Sequence, residues 1–245
     1  MARPTVVITG GSRGIGRATA LAAARAGWNV AIGYRGNEAA AQATLEEIRR
    51  TGAEAVAVAG SVIEERDVAA LFDHAEAALG PVSAVVVNAG IVGPSLPLAQ
   101  MDVTRLRGMV ETNLLGALLT AREAARRLPR SGGGSVIFVS SSAARLGSAN
   151  EYVDYAATKG ALDTLTIGLS GELAPEVRVN AVRPGLIDTE IHASGGQPDR
   201  AARLGAGTPL GRAGTAEEVA AAILWLLGPE ASYVTGSILD IAGGR

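Results

Sequence analysis

Short apolar runs alternate with helical segments along the whole chain, and this alternation limits the fold more than any other feature. Val6–Ile8, Asn29–Tyr34, Glu54–Ala59, Ala84–Asn88, Val136–Val139, Arg178–Arg183 and Ser237–Ile241 read as strands. Between them, Arg17–Ala26, Glu38–Arg50, Glu64–Leu79, Thr104–Leu128, Tyr155–Leu173 and Glu217–Leu227 read as helices. A helix that follows a strand returns the chain to the same end of a sheet, so the strands pair in parallel. Ala84-Val-Val-Val is apolar throughout, as a parallel strand covered on both faces must be. The pattern predicts an α/β fold: one doubly wound parallel sheet of seven strands with helices on both faces.

Length alone, 245 residues, suits one large domain or two small ones. No linker or internal duplication divides the chain, so residues 1–245 read as a single domain. Cysteine is absent, which excludes disulfides, thiolate catalysis and cysteine–zinc sites. The two histidines, His74 and His192, lie far apart and outside any metal-ligand spacing. The net charge is −2 and the basic residues are scattered, so no nucleic-acid surface or polybasic membrane patch is expected. The longest apolar run, Val219–Leu227, falls short of the roughly 20 residues that a bilayer requires. The amino terminus shows no basic region followed by a long apolar stretch, so a cytoplasmic protein is expected.

The first strand runs into Thr9-Gly-Gly-Ser-Arg-Gly-Ile-Gly16 and then a helix. Glycines at Gly10, Gly14 and Gly16 permit a tight turn and let backbone N–H groups and the helix N-terminus approach a pyrophosphate. The spacing is GxxxGxG, not the commoner GxGxxG of dinucleotide sites. About 20 residues beyond such a loop, an acid selects the ribose 2′-hydroxyl of NAD and an arginine accommodates a 2′-phosphate. Here the second strand ends Gly33-Tyr34-Arg35-Gly36 with no acid, so Arg35, with Arg13, points to NADP(H) over NAD(H). The fourth strand ends in Asn88-Ala89-Gly90, at the carboxyl edge where ligands of open α/β sheets lie. Asn113 interrupts a helical stretch, marking either a kink or a polar site.

Tyr155 and Lys159 stand four residues apart in a helical run, so they share one face. A cation beside a phenol lowers its pKa, which would let the tyrosine exchange a proton near neutral pH. Thr189–Thr215 carries six glycines and two prolines, the composition of a substrate lid.

The glycine loop, Asn88-Ala89-Gly90, Asn113, Ser141, Tyr155-x-x-x-Lys159 and Pro184-Gly185, in this order, resemble the short-chain dehydrogenase/reductase family of the classical type, a Rossmann fold. The resemblance spans the chain to Val234–Gly244. It implies a hydride transfer between NADP(H) and a carbonyl or secondary alcohol, with Tyr155 as general acid/base. Lys159 would hold the nicotinamide ribose and depress the Tyr155 pKa, Ser141 would hydrogen-bond the substrate oxygen, and Asn113 would anchor a water chain. Asn88, Ala89 and Gly90 would line the adenosine side. Pro184, Gly185, Ile187 and Thr189 would line the nicotinamide side, with Gly10, Ser12, Arg13, Gly14, Ile15 and Gly16 at the phosphates. Where the family has an aspartate for adenine, this chain has Ser61-Val62, and the first Asn of Asn-Asn-Ala-Gly is Val87. Counting back from Tyr155 gives Ser142 as the catalytic serine; counting from the strand gives Ser141, which is preferred because loops absorb insertions. Tyr152 reads as a decoy, since four residues on it meets Ala156. The family relationship also implies a homotetramer and a small-molecule substrate.

Overall fold

The apolar runs pair side by side in one sheet. In the computed structural model, which describes residues 3–245, the strands are β1 (Thr5–Thr9), β2 (Asn29–Tyr34), β3 (Ala55–Ala59), β4 (Val82–Val87), β5 (Gly134–Val139), β6 (Val177–Pro184) and β7 (Ile238–Ile241). Their order is β3-β2-β1-β4-β5-β6-β7, and every neighbouring pair is parallel. This is the doubly wound seven-stranded sheet that the alternation predicts. All five residues of β1 are buried, as a central strand covered on both faces requires.

The helices are α1 (Gly14–Arg25), α2 (Glu38–Arg50), α3 (Glu65–Leu79), α4 (Val103–Val110), α5 (Gly116–Arg127), α6 (Ala143–Leu146), α7 (Val153–Glu172), α8 (Ile191–Ser194), α9 (Arg200–Gly205) and α10 (Ala216–Leu227). Two cores form, one on each face of the sheet. Leu21, Leu45 and Ile223 bring α1, α2 and α10 onto one face, around Val6, Ile8 and Ile32. Phe72, Ala121 and Leu162 bring α3, α5 and α7 onto the other, around Val7, Val85 and Phe138. The chain leaves β1 toward β2 and later returns on the other side of β1 as β4, so the loops after these two strands diverge. A crevice opens there at the carboxyl edge.

The stretch Thr104–Leu128 is not one regular helix. A π turn, Glu111–Leu115, separates α4 from α5, and the Gly116 N–H reaches back to the Glu111 carbonyl. Asn113 sits in that widened turn, fully buried. Of the two readings open for this residue, the structure supports both: it interrupts the helix, and it does so to place a polar side chain. The Thr189–Thr215 region contains α8 and α9 and is fastened at its ends by a bridge between Ile187 and Gly214. Among the described residues no helix is long and apolar enough to cross a membrane.

Candidate active site

The loop after β1 turns through left-handed backbone at Gly10 (φ 66°) and Gly14 (φ 52°), which places the α1 N-terminus at the carboxyl edge of the sheet. From this loop a cleft of about 710 Å³ runs across the sheet edge. Gly10, Ser12, Arg13, Gly14, Ile15 and Arg35 line one end, with Ser61 and Val62 beside them. Asn88, Ala89 and Gly90 form the middle, and Ser141, Tyr155, Lys159, Pro184, Gly185, Ile187 and Thr189 the far part. Two residues expected in the site stand behind this lining, Gly16 and Asn113.

Gly16 packs α1 onto the loop and does not face the cleft. A Cβ there would collide with the Gly10 carbonyl and lie 2.6 Å from Asn88 Nδ2. Asn88 in turn engages its amide in shaping the loop, since Nδ2 donates to the Thr9 carbonyl (2.9 Å) and to the Gly10 carbonyl (3.1 Å). Its backbone N–H donates to Thr9 Oγ1 at 3.0 Å. Asn88 therefore ties the ends of β1 and β4 together at the switch point.

Asn113 works in the same way from the other side. Its Oδ1 accepts the Ile91 N–H (2.8 Å), and its Nδ2 donates to the Ile91 carbonyl (2.9 Å) and approaches Met109 Sδ (3.0 Å). Each polar atom of the amide is engaged with protein, so what Asn113 positions is the loop after Gly90. At Gly90 a Cβ would lie 3.3 Å from Asn113 Oδ1 and 3.7 Å from Lys159 Nζ, and glycine leaves both groups room to close in.

At the end of β5 the chemistry converges. Lys159 Nζ donates to the Val139 carbonyl at 2.7 Å, and Ser140 Oγ donates to the Lys159 carbonyl at 3.1 Å, fixing α7 on β5. The Lys159 ammonium stands 5.6 Å from the centre of the Tyr155 ring. Ser141 is the side chain that acts on the Tyr155 phenol against the effect of burial, and its Oγ accepts the Ala143 N–H at 3.1 Å. Ser142 is set by its N–H, which donates to the Pro184 carbonyl at 2.9 Å. Both serines line the cleft, and Ser141 is the one that acts on the phenol.

Burial dominates the electrostatics of Tyr155 and Lys159. Burial pushes the Tyr155 phenol up from its ordinary value, and the Ser141 hydrogen bond opposes this only in part. In the cofactor-free cleft burial is the larger influence on the phenol. The same burial brings Lys159 down to about 8, against an opposing pull from the Asp163 carboxylate. Lys159 is also the only lysine in the chain, every other basic side chain among the 22 being arginine.

Asp67, Tyr152, His192 and Arg200 also line the cleft. Asp67 Oδ2 accepts the Ser61 N–H at 3.0 Å, so a carboxylate lies beside the position where Ser61 replaces the family's aspartate. Tyr152, set aside as a decoy, is buried in the wall. Its hydroxyl accepts from Gln197 Nε2 (2.8 Å), and the Arg200 guanidinium lies over its ring at 5.1 Å. Arg200 also pairs with Glu151, with Nη1 at 3.0 Å and Nη2 at 2.6 Å. These contacts hold the 189–215 segment against the loop before α7. No spacing in the sequence announces them, because the partners stand 45 or more residues apart.

A family model described as enoyl-(acyl carrier protein) reductase matches residues 10–245. Among curated proteins, the chain is 48% identical to an uncharacterized oxidoreductase, YgfF, of Escherichia coli strain K12, with 98% of each chain covered. It is 39% identical to the cis-4-hydroxycyclohexanecarboxylate dehydrogenase of Sinomonas cyclohexanicum, covering 99% of this chain and 96% of that one. Among solved structures, the 3-ketoacyl-(acyl-carrier-protein) reductase of Brucella melitensis complexed with NADH superposes with a TM-score of 0.92 at 29% identity, covering 100% and 98%. With a parallel seven-stranded sheet, a glycine loop at its switch point and relatives matched end to end, the chain belongs to the short-chain dehydrogenase/reductase family of nicotinamide-dependent oxidoreductases.

Proposed function

We propose that this protein is an NADP(H)-dependent oxidoreductase that interconverts a small carbonyl compound and its secondary alcohol, with Tyr155 as the general acid/base. The observation that carries the proposal is the convergence of Tyr155, Ser141 and Lys159 at the end of β5, inside a cleft that also contains the glycine loop. The cleft fits a dinucleotide. The left-handed turns at Gly10 and Gly14 bring backbone N–H groups and the α1 N-terminus to one end, where a pyrophosphate would be held. Arg13 and Arg35 are exposed on the same rim and would meet a 2′-phosphate. Ser61, Val62 and Asp67 would hold the adenine side, Lys159 the nicotinamide ribose, and Pro184, Ile187 and Thr189 the nicotinamide.

When bound, the nicotinamide supplies or accepts the hydride at the substrate carbon. The protein moves the proton and positions the oxygen. Tyr155 gives its phenolic proton to the carbonyl oxygen as negative charge develops there, and takes it back from the alcohol in the reverse direction. The Ser141 hydroxyl donates to the same oxygen and stabilises that charge. Tyr152, His192 and Arg200 bound the substrate end, and the 189–215 segment acts as its lid. The name of the Sinomonas relative, a cyclic hydroxy-acid dehydrogenase, supports a secondary alcohol as the reduced partner. Exposed apolar side chains on α4, the π turn, α5 and α7, including Val103 and Ile167 at 59% each, support packing against further copies as a homotetramer.

The test is turnover across ketones, aldoses and acyl thioesters with NADPH and NADH. We expect NADPH to be oxidised faster, and Tyr155→Phe to abolish turnover while cofactor binding, read by NADPH fluorescence, persists. Undiminished turnover in Tyr155→Phe would remove the mechanism.

A further inference from the structure

The only lysine of the chain stands 4% exposed in the catalytic cleft, and a buried ammonium is costly without a compensating charge. One turn further along α7, on the same face, is Asp163, itself 7% exposed. Its two oxygens have different surroundings. Oδ2 accepts from both Nε (2.9 Å) and Nη2 (2.7 Å) of Arg183, on β6. Oδ1 is buried without a hydrogen-bond partner among the described residues. A buried carboxylate with one bare oxygen is unusual enough to require a reason, and the cation one turn back on the same helix is Lys159.

We propose that Asp163, anchored by Arg183, is a positioning residue that serves as the counter-charge keeping the Lys159 ammonium protonated inside the cleft. The surrounding charges leave this task to Asp163. On α7, Asp154 is bound to Arg105 of α4 at 2.9 Å. Tyr155 is held as a neutral phenol by burial. From β7, Asp240 engages Arg183 at 3.8 Å and Arg145 of α6 at 4.0 Å. From β5, Lys159 receives a carbonyl dipole, that of Val139, and no formal charge. The pull of Asp163 against the effect of burial on Lys159 agrees with this arrangement. A site that needs a cation at neutral pH but buries it thus carries a second, deeper carboxylate that preserves the charge.

This deepens the role given to Lys159 above, and its test requires neither substrate nor turnover. Protein grown with ¹³C-labelled lysine Cε gives one side-chain resonance, since the chain has one lysine. In the native protein its midpoint is expected at about 8. Asp163→Asn should lower the midpoint by about one pH unit, and Asp163→Glu should keep it near the native value. Arg183 retains Asp240 in the Asn variant. Should that variant not fold, the double variant Asp163→Asn with Arg183→Gln leaves no unpaired charge at this position and should show a smaller lowering, since loss of the Arg183 cation offsets part of the effect. A merely structural Asp163 would change the melting temperature and leave the midpoint in place. An unchanged midpoint in Asp163→Asn, or in the double variant where that is the one that folds, overturns the proposal, whatever the outcome for Tyr155→Phe.

Discussion

Replacing Lys159 with methionine should stabilise the cofactor-free protein at neutral pH while destroying its site. The ordinary lysine value of 10.5 falls to about 8 in the folded chain. That gap of about 2.5 on the pH scale corresponds to about 3 kcal/mol by which folding disfavours the ammonium, relative to the neutral amine, compared with the unfolded chain. Below pH 8 the folded and unfolded states both hold the proton, and the folded state bears the whole cost of the buried charge. Between pH 8 and 10.5 the folded chain releases the proton that the unfolded chain still binds, so native stability rises with pH. Above that range the cost is gone. Methionine fills a similar volume without the charge, but it gives up the hydrogen bond to the Val139 carbonyl, worth about 1 kcal/mol. The variant should therefore be about 2 kcal/mol more stable at pH 7, which for a chain of this length is roughly 4–8 °C in Tm. That advantage should shrink and reverse by pH 10.5. Urea unfolding of both proteins without cofactor, at several pH values from 7 to 10.5, reads this directly. Stabilities that run parallel over the whole range would refute the reasoning, because the buried cation would then carry no cost.

Two further substitutions test the cofactor end. Arg35→Ala should raise KM for NADPH by about ten- to a hundredfold and leave NADH little changed, since a charge-assisted contact to phosphate is worth about 1.5–3 kcal/mol; equal effects on both cofactors would remove the 2′-phosphate argument. Gly16→Ala should lower stability by about 1–3 kcal/mol and weaken cofactor binding, because the added methyl group meets the Gly10 carbonyl and Asn88. An unchanged Tm and an unchanged Kd for NADPH would show that α1 and the loop separate freely.

The sequence by itself determined the layers and most of the lining of the cleft. Alternating strands and helices leave few topologies open, and the β-branched runs at Val6–Ile8 and Val85–Val87 can be satisfied only inside a sheet covered on both faces. The glycine loop and the Tyr155–Lys159 spacing are local patterns, fixed by turn geometry and helix pitch, and so are legible before folding. The single lysine could have been noticed as well, for a chain that otherwise uses arginine throughout has kept one group whose charge burial can tune. What the tertiary structure decided is what depends on distant segments meeting in a dry interior. Gly16 and Asn113 proved to shape the site from behind it, since their contacts, Asn88 and Ile91, come from other elements. That Ser141 acts on the Tyr155 phenol likewise emerges only where β5 and α7 meet. The direction of the Tyr155 shift was also beyond the sequence. A neighbouring cation can be read from spacing, but the water that folding removes from both groups is a property of the packed cleft, and here that desolvation is the larger effect.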